Sequence, residues 1–197
     1  MQSKNKGYWE VIYKTTPKEM LPWDAVKIDK LLVEIITEKK IKNGLILDLG
    51  CGPGTSTRFF AENKYDVVGI DFSQAAIKQA KKECSKTKKA KFILGDMISL
   101  PFKKNSFVFI FDRGSFHHLD LKDVEKSVDG FREVLKKNGN FYLQAFSSKS
   151  IISDLSFSRE DIEDYFTGFE IIEFEEIKRF GPKGEKIILN SVFMEKK

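Results

Sequence analysis

The amino-acid sequence predicts an α/β fold built on a mostly parallel sheet with helices on both faces. Short β-rich runs alternate with helical periods along most of the chain, which is the pattern of strands joined by crossover helices. The first run leads directly into a glycine-rich turn, and the last two runs flank a short turn that predicts an antiparallel hairpin.

Five runs are predicted to form the parallel part of the sheet. The first, residues 45–49, is nearly continuously apolar, which is typical of a strand buried on both faces. Asp71, Asp96 and Asp112 follow the second, third and fourth runs closely. Because parallel strands end at the same edge of a sheet, these acids should lie along one edge. The remaining four runs cover residues 66–70, 91–94, 107–111 and 140–145.

Capping residues predict where the first helices of the sheet begin. Thr55 or Ser56 should cap the helix that follows the glycine-rich turn, and Ser73 should cap the next helix. The second of these helices places Cys84 on its apolar face, so Cys84 is expected in the core.

The C-terminal third is predicted to hold two helices and a hairpin. A helix over residues 122–137 should end at Asn138-Gly139, a pair that supplies the left-handed residue common at helix ends. Ser158 and Asp161 form a capping pattern for a second helix, which Gly168 should end. The hairpin strands and the turn between them cover residues 169–177, 186–195 and 181–184.

The segment before the first strand carries aromatic residues and a helix of its own. Its aromatic positions, which include Trp9, Tyr13 and Trp23, are expected either to join the core or to form a lid. The apolar positions of its helix, which should be buried, are Leu31, Leu32, Ile35 and Ile36.

Composition limits the classes of function. With 197 residues and 41% hydrophobic content, the chain can build one core without disulfides or metals. The cysteines, Cys51 and Cys84, lack metal or redox spacing, which favours a reducing, cytoplasmic compartment. No apolar run is long enough for a bilayer, so no membrane partner is expected. Since 29 acidic residues nearly balance 34 basic ones, nucleic acid is a disfavoured partner despite the net charge of +5.

The turn Asp48-Leu49-Gly50-Cys51-Gly52-Pro53-Gly54 lies between a predicted strand and a predicted helix. Its glycines allow the backbone to approach a ligand closely, and N–H groups at the start of the helix could receive a carboxylate. Asp48 could bind an ammonium group. Asp71 is placed to accept both hydroxyls of a ribose, and Asp96 to accept an adenine amino group, with Met97 packing the ring.

Together these motifs resemble those of the class I S-adenosylmethionine (SAM)-dependent methyltransferases, over roughly residues 45–145. The resemblance implies a Rossmann-like, seven-stranded sheet with an antiparallel last strand, and SAM as the cofactor with S-adenosylhomocysteine as its product. We therefore expect a single domain with an N-terminal flank or lid at 1–44, a cofactor-binding core at 45–146 and a C-terminal helix and hairpin at 147–197. The expected cofactor contacts are Asp48, Gly50, Cys51, Gly52, Gly54, Asp71, Phe72, Asp96, Met97 and Asp112.

Other classes of function remain open at this point. A dinucleotide-dependent oxidoreductase shares the glycine-rich turn and the acid after the second strand, but its fingerprint has glycine where Thr55 stands. A catalytically inactive SAM-binding module is a further alternative. The acceptor could also be a nitrogen or oxygen atom of a small molecule, or RNA.

The segment after the fourth strand bears on the acceptor. It reads Asp112-Arg113-Gly114-Ser115-Phe116-His117-His118 and lacks the prolines of the Asn/Asp-Pro-Pro-aromatic run with which nucleobase amino methyltransferases stack a flipped base and accept its amino protons. This segment and Pro22-Trp23-Asp24 partly resemble the thiopurine, thiol and tellurite methyltransferases. That resemblance implies a small-molecule acceptor with a sulfur, selenium or tellurium atom, acted on by a monomer or a weak dimer.

Five residues are candidates for the acceptor side. His117 or His118 is expected to take a proton or to position the acceptor, with at least one of them structural, and neither is assigned to a metal. Arg113 either binds an anionic acceptor or pairs with Asp112. Trp23 and Phe146 complete the expected acceptor side, Phe146 by its place after the fifth strand.

Overall fold

A computed structural model describes residues 6–21, 23, 30–38, 41–150, 155–180 and 184–197, with only the backbone described at 30–32. Seven strands form one sheet in the order β3-β2-β1-β4-β5-β7-β6. β1 to β5 pair in parallel, and β7 runs antiparallel to both β5 and β6. The predicted Rossmann-like sheet with an antiparallel C-terminal hairpin is confirmed. The strands are β1 Leu45–Leu49, β2 Asp66–Asp71, β3 Ala90–Leu94, β4 Phe107–Arg113, β5 Leu135–Phe146, β6 Phe169–Phe180 and β7 Lys186–Lys196.

Helices cover both faces of this sheet. On one face, Phe60 of α3 packs against Phe109 and Phe111 of β4 in a cluster that also includes Ile35 of α2. On the other face, Phe131 of α5 packs in a cluster with the strand side chains that point to that face. The helices are α1 Lys6–Thr15, α2 Lys30–Thr37, α3 Thr55–Glu62, α4 Gln74–Glu83, α5 Leu121–Val134 and α6 Arg159–Tyr165.

The N-terminal helix α1 is fastened to the start of α4. The Glu10 carboxylate accepts hydrogen bonds from the Ser73 hydroxyl at 2.7 Å and from the Ala75 N–H at 3.2 Å. The Gln79 side chain of α4 donates to the backbone carbonyl of Tyr13. These contacts hold α1 against the carboxyl-end edge of the sheet, because Ser73 lies just after β2.

Capping is as predicted at two helices and different at a third. Ser73 accepts from the Ala76 N–H, and Ser158 forms a reciprocal capping box with Asp161. The prediction that Thr55 or Ser56 caps α3 is wrong, because Gly54 is the N-cap and no side chain caps the helix. Gly54 has φ = 86°, a left-handed conformation that brings the chain into the helix without a side-chain acceptor.

The helix predicted over residues 122–137 ends early. α5 stops at Val134, and Leu135 already pairs with Phe107 of β4. Leu135 extends the apolar stripe of the helix, so the sequence pattern suits both conformations. Asn138 does adopt a left-handed φ of 57°, but it lies within the long strand β5 and not at a helix end.

Several predicted features are only partly covered by the described residues. Ile35 and Ile36 of α2 are buried as expected, whereas the side chains of Leu31 and Leu32 lie outside the description. Pro22 and Asp24 also lie outside it, as do the first three residues of the turn at 181–184. Among the described residues, the structure contains no helix with the length and apolarity needed to cross a membrane.

Candidate functional site

The glycine-rich turn after β1 adopts backbone conformations that favour glycine. Gly50, Gly52 and Gly54 have φ values of 54°, 51° and 86°. A Cβ atom at Gly50 would lie 2.3 Å from the Cβ of Ser115, so the turn and the segment after β4 pack too closely for a side chain there. The turn therefore presents bare backbone at the edge where ligands of open α/β sheets bind.

Asp71 ties this turn to the end of β2. Its Oδ2 accepts the Gly52 N–H at 2.9 Å, and its Oδ1 accepts the Ser73 N–H at 2.8 Å. Burial raises the pKa of Asp71 from 3.8 to about 6, while the two N–H donors oppose that rise. A carboxylate has about four acceptor positions, so two remain for other donors such as a pair of hydroxyls.

Asp48 lies beneath the turn and faces α3. It is 2% exposed, and its Oδ2 accepts the Thr57 hydroxyl at 2.5 Å. Burial raises the pKa of Asp48 from 3.8 to about 7, while the Thr57 hydroxyl and the charge of Arg113 both lower it. Its ionised form is therefore stabilised by any further cation that approaches, which suits the predicted ammonium contact.

Asp96 and Met97 follow β3 along the same edge. Asp96 Oδ1 accepts the Ile98 N–H at 3.0 Å, and Asp96 Oδ2 forms an ion pair with Lys6 of α1. Met97 is 8% exposed, and its methyl group lies 3.6 Å from the Cβ position of Gly50. The Lys6 ammonium also lies 6.0 Å from the centre of the Phe72 ring. Thus residues predicted to hold a nucleoside lie together, with α1 beside them.

Cys51 and Asp112 have structural roles in this arrangement. The Cys51 side chain packs on β2, since its Sγ lies 2.9 Å from the Cβ position of Gly69, and burial raises the pKa of its thiol well above the usual value. Asp112 is fully buried and accepts the N–H groups of Ser115 and Phe116 at 3.0 and 3.2 Å. Burial raises the pKa of Asp112 to about 6, against these hydrogen bonds. The predicted contacts of these two residues with a cofactor stay predictions.

The paired histidines lie in a short 3-10 turn after β4, beside the end of β5. His117 is 4% exposed, and its Nδ1 accepts the backbone N–H of Phe146 at 3.3 Å. Its ring stacks on the Phe146 ring with centroids 3.8 Å apart. An Nδ1 that accepts an N–H carries no proton, so the neutral ring is protonated at Nε2. His117 is therefore a hydrogen-bond donor at Nε2 in this structure.

His118 contacts the N-terminal helix. Its ring lies 4.6 Å from that of Trp9, and Trp9 in turn lies 5.4 Å from Trp23. Tyr13 completes this aromatic cluster, and its hydroxyl lies 3.0 Å from the Cβ position of Gly52. Trp9 and Tyr13 are buried, whereas Trp23 is 37% exposed. The cluster thus covers the region between the glycine-rich turn and the histidines.

Arg113 is not paired with Asp112, which was one of its two predicted roles. Asp112 accepts from backbone N–H groups and the Ser115 hydroxyl, and the structure shows no ion pair between it and Arg113. Among the residues that the structure describes, none accepts a hydrogen bond from the buried Nη1 atom of Arg113. The guanidinium lies near enough to Asp48 to lower the pKa of that carboxyl.

Sequence reasoning missed the polar contacts of α1. Lys6 and Glu10 were not recognised as site residues, although Lys6 reaches Asp96 and Glu10 reaches the residues after β2. Trp9 and Tyr13 are four residues apart, a helical spacing that could have indicated one face of a helix. The partners of Lys6 and Glu10 lie 90 and 63 residues away, so no local pattern predicts them.

Comparisons with known proteins agree on one family. A family model described as a methyltransferase domain matches residues 46–139. An uncharacterized methyltransferase of Schizosaccharomyces pombe is 33% identical over 103 residues, which cover 52% of this chain and 71% of that protein. The matched region includes the glycine-rich turn, the acids after β2 and β3, and the histidines.

Solved structures share most of this fold at low sequence identity. One, from work on the conversion of a disulfide bond into a thioacetal group during echinomycin biosynthesis, has a TM-score of 0.81 and 18% identity. It covers 97% of this chain and 92% of its own. Another is 1,6-didemethyltoxoflavin-N1-methyltransferase of Burkholderia thailandensis with 1,6-didemethyltoxoflavin and S-adenosylhomocysteine bound. It has a TM-score of 0.71 and 17% identity, covering 85% of this chain and 77% of its own.

Proposed function

Because the chain belongs to the class I SAM-dependent methyltransferases, we propose that it methylates a small molecule whose accepting atom is sulfur, selenium or tellurium. The accepting atom, as a thiolate or its analogue, would attack the methyl carbon of SAM in line; the new bond to carbon forms as the bond to the sulfonium sulfur breaks, and S-adenosylhomocysteine leaves. The observation that carries the proposal is the bare glycine-rich turn at the end of β1, with the carboxylates of Asp71 and Asp96 at the ends of β2 and β3, the next two strands on one side of it.

The residues at this edge fit SAM. The two remaining acceptor positions of Asp71 suit the ribose hydroxyls, and Asp96 lies one strand further along, where the adenine amino group would be expected. Met97 offers an apolar surface for the ring, and Asp48 offers a buried acid for the ammonium group. Gly50 keeps the turn open, since a Cβ there would meet Ser115.

Three N–H groups of the turn itself are already engaged within the protein. Those of Cys51, Gly52 and Gly54 donate to Ile70, Asp71 and Cys51 within the protein. The carboxylate of the donor's amino-acid end therefore depends on other groups. The start of α3 was the sequence-based expectation and stays part of the proposal.

The acceptor side supports a nucleophile that needs little help from a base. His117 has its Nδ1 engaged by the Phe146 N–H, so in this arrangement it positions the acceptor through its ring and does not remove a proton at that nitrogen. A thiol reaches its thiolate form more readily than an alcohol, since its pKa is near 8.5. The chemistry of the echinomycin protein, which concerns a disulfide and a thioacetal, is consistent with a sulfur acceptor on this fold.

The aromatic cluster of α1 fits the role of a lid. Trp9 lies against His118 and Tyr13 lies close to Gly52, so we expect α1 to shield the proposed donor and acceptor positions from water. Exclusion of water favours displacement at a sulfonium, because charge is lost as the methyl group moves. Trp23 and Phe146 belong to the same proposal as walls on the acceptor side.

A labelled-methyl screen tests this function. The native chain would be incubated with methyl-labelled SAM and with thiols, selenite or tellurite, small amines, hydroxyl compounds and RNA in parallel. We expect transfer to sulfur, selenium or tellurium to exceed transfer to the amines and hydroxyl compounds. Transfer to RNA alone would contradict the small-molecule proposal, and transfer to nitrogen alone would contradict the chalcogen.

Control variants separate binding from chemistry in the same screen. Asp71→Asn should lose transfer to every acceptor because it weakens the donor site. Asp66→Asn, at the exposed start of β2, should transfer as the native chain does. A native chain that binds SAM but methylates nothing in the screen would instead favour a binding module without catalysis.

A further inference from the structure

Arg113 is half-buried, and one nitrogen of its guanidinium is buried without a hydrogen-bond partner among the described residues. It is the last residue of β4, and its Nη1 atom is buried with no hydrogen bond. Within the described part of the chain, no carboxylate forms an ion pair with this guanidinium. Arginine nitrogens removed from water are nearly always paired, because desolvating the charge is costly. An unpartnered guanidinium nitrogen at the ligand-binding edge of a parallel sheet indicates an anionic ligand group.

Its position on the sheet directs Arg113 toward the site. The pairing of Asp48 with Phe111 and the alternation along β4 put Asp48, Phe111 and Arg113 on the face that α3 covers. In the register of the parallel strands, the backbone of Arg113 lies opposite that of Gln144 in β5. Asp112 extends to the opposite face, where it holds the turn, and therefore does not neutralise Arg113.

Among the described residues, the acid whose pKa Arg113 affects does not form an ion pair with it. Asp48 is the acid whose pKa Arg113 lowers, but the two side chains are not within ion-pair distance. Gln144 is engaged with the hydroxyl of Tyr142 at 3.4 Å. A guanidinium binds a carboxylate through two parallel N–H bonds, which suits a planar, singly charged group.

We propose that Arg113 binds a carboxylate of the methyl acceptor, so that the acceptor class is a small carboxylate-bearing chalcogen nucleophile such as a mercapto acid. This inference rests on the proposed function. The same chemistry could be supplied by the carboxylate at the amino-acid end of the donor, and the experiment separates the two sources.

The experiment compares Arg113→Gln and Arg113→Lys with the native chain. The matched control is Arg159→Gln on α6, which removes an exposed arginine paired with Glu163. Calorimetry measures the affinity for S-adenosylhomocysteine and for 5′-methylthioadenosine, which lacks the amino-acid end. Initial rates are measured with mercaptoacetate and with its neutral counterpart, 2-mercaptoethanol. Circular dichroism checks that each variant is folded.

If Arg113 binds the acceptor, we expect Arg113→Gln to raise the KM for mercaptoacetate by about tenfold or more. The KM for 2-mercaptoethanol and the Kd for S-adenosylhomocysteine should each change by less than about twofold. Arg113→Lys should fall between, because the ammonium keeps the charge and loses the paired geometry. Arg159→Gln should behave as the native chain.

Three results would overturn the acceptor assignment. The first is a loss of affinity for S-adenosylhomocysteine with unchanged affinity for 5′-methylthioadenosine, which would assign Arg113 to the donor carboxylate. The second is unchanged binding and kinetics in folded Arg113→Gln. The third is a native chain that methylates only neutral acceptors, or none of the carboxylate-bearing ones. A native chain that binds neither nucleoside would instead refute the proposed function itself.

Discussion

Asp71, the last residue of β2, accepts a hydrogen bond at 2.9 Å from the backbone N–H of Gly52 in the turn after β1. The same carboxylate accepts the Ser73 N–H at 2.8 Å, so one side chain joins the turns that follow two neighbouring strands. A ligand contact and a structural contact therefore share one carboxylate. The stability of an Asp71 variant must therefore be measured before a change in its ligand affinity is interpreted.

We expect Asp71→Ala to lower the free energy of unfolding by about 1–3 kcal/mol, because it leaves the buried Gly52 N–H without an acceptor. Urea unfolding followed by circular dichroism measures this. Asp66→Ala at the exposed start of β2 is the control, with an expected change within about 0.5 kcal/mol, since its ion pair with Lys89 is exposed to solvent. Equal stability of Asp71→Ala and the native chain would refute the structural role.

Three buried acids predict how stability depends on pH. Burial raises the pKa values of Asp48, Asp71 and Asp112 to about 7, about 6 and about 6, from 3.8. Between these values and 3.8 the folded chain binds more protons than the unfolded chain, so the stability from these groups rises as pH falls. It is fully present below 3.8 and is lost as pH rises through about 6 to 7.

Urea midpoints of the ligand-free chain at about pH 8, 7, 6 and 5 measure this dependence. We expect the midpoint to increase on acidification over this range, and to increase less in Asp48→Asn. Affinity for SAM should fall on acidification over the same range. Protonation of Asp71 weakens the acceptor for the ribose hydroxyls, and protonation of Asp48 removes the charged partner of the ammonium group. A midpoint that decreases between pH 8 and pH 6 would contradict the burial of these acids.

The glycine-rich turn gives a sharp steric test. We expect Gly50→Ala to destabilise the fold by about 1–3 kcal/mol and to weaken SAM binding, because φ is 54° and the new Cβ would lie 2.3 Å from Ser115. Gly130→Ala on α5 is the control, since nothing lies within 4 Å of its Cβ position. That variant should be more stable than the native chain by up to about 1 kcal/mol. Thermal unfolding measures the stability of both variants. A Gly50→Ala variant that is more stable than Gly130→Ala would contradict this expectation.

His117 is expected to contribute to positioning more than to proton transfer. His117→Asn keeps an acceptor near the Phe146 N–H, whereas His117→Ala removes it. We expect His117→Ala to lose about 1–3 kcal/mol of stability and His117→Asn to lose less. If His117 is no base, the pH profile of kcat should be the same in His117→Asn as in the native chain. Loss of an ionisation from that profile would contradict the assignment.

The parts of the fold that were predictable are those with local signals. The five parallel strands and the caps Ser73 and Ser158 follow from apolar runs and from hydroxyls placed before helices. The end of α5 was not predictable, because Leu135 continues a helical stripe and only its pairing with Phe107 commits it to a strand. Gly54 was not predicted as the N-cap of α3, because Thr55 and Ser56 follow it directly and hydroxyl side chains are common N-caps.

The site divides in the same way. The glycines and Asp71 follow from their place at strand ends, whereas the engagement of Asp71 by Gly52 depends on two turns meeting in space. The pairing of Lys6 with Asp96 depends on the path of α1 across the sheet edge. That path is set by tertiary packing, which no spacing within the sequence reports.

The crevice at the ends of β1, β2 and β3 is expected to bind SAM. Calorimetric titration of the native chain with S-adenosylhomocysteine, beside Asp71→Asn and Asp66→Asn, tests it most directly. We expect one site per chain, an affinity reduced by about tenfold or more in folded Asp71→Asn, and native affinity in Asp66→Asn. A folded native chain that releases no heat and shows no binding, or a folded Asp71→Asn that binds as tightly as the native chain, would contradict it.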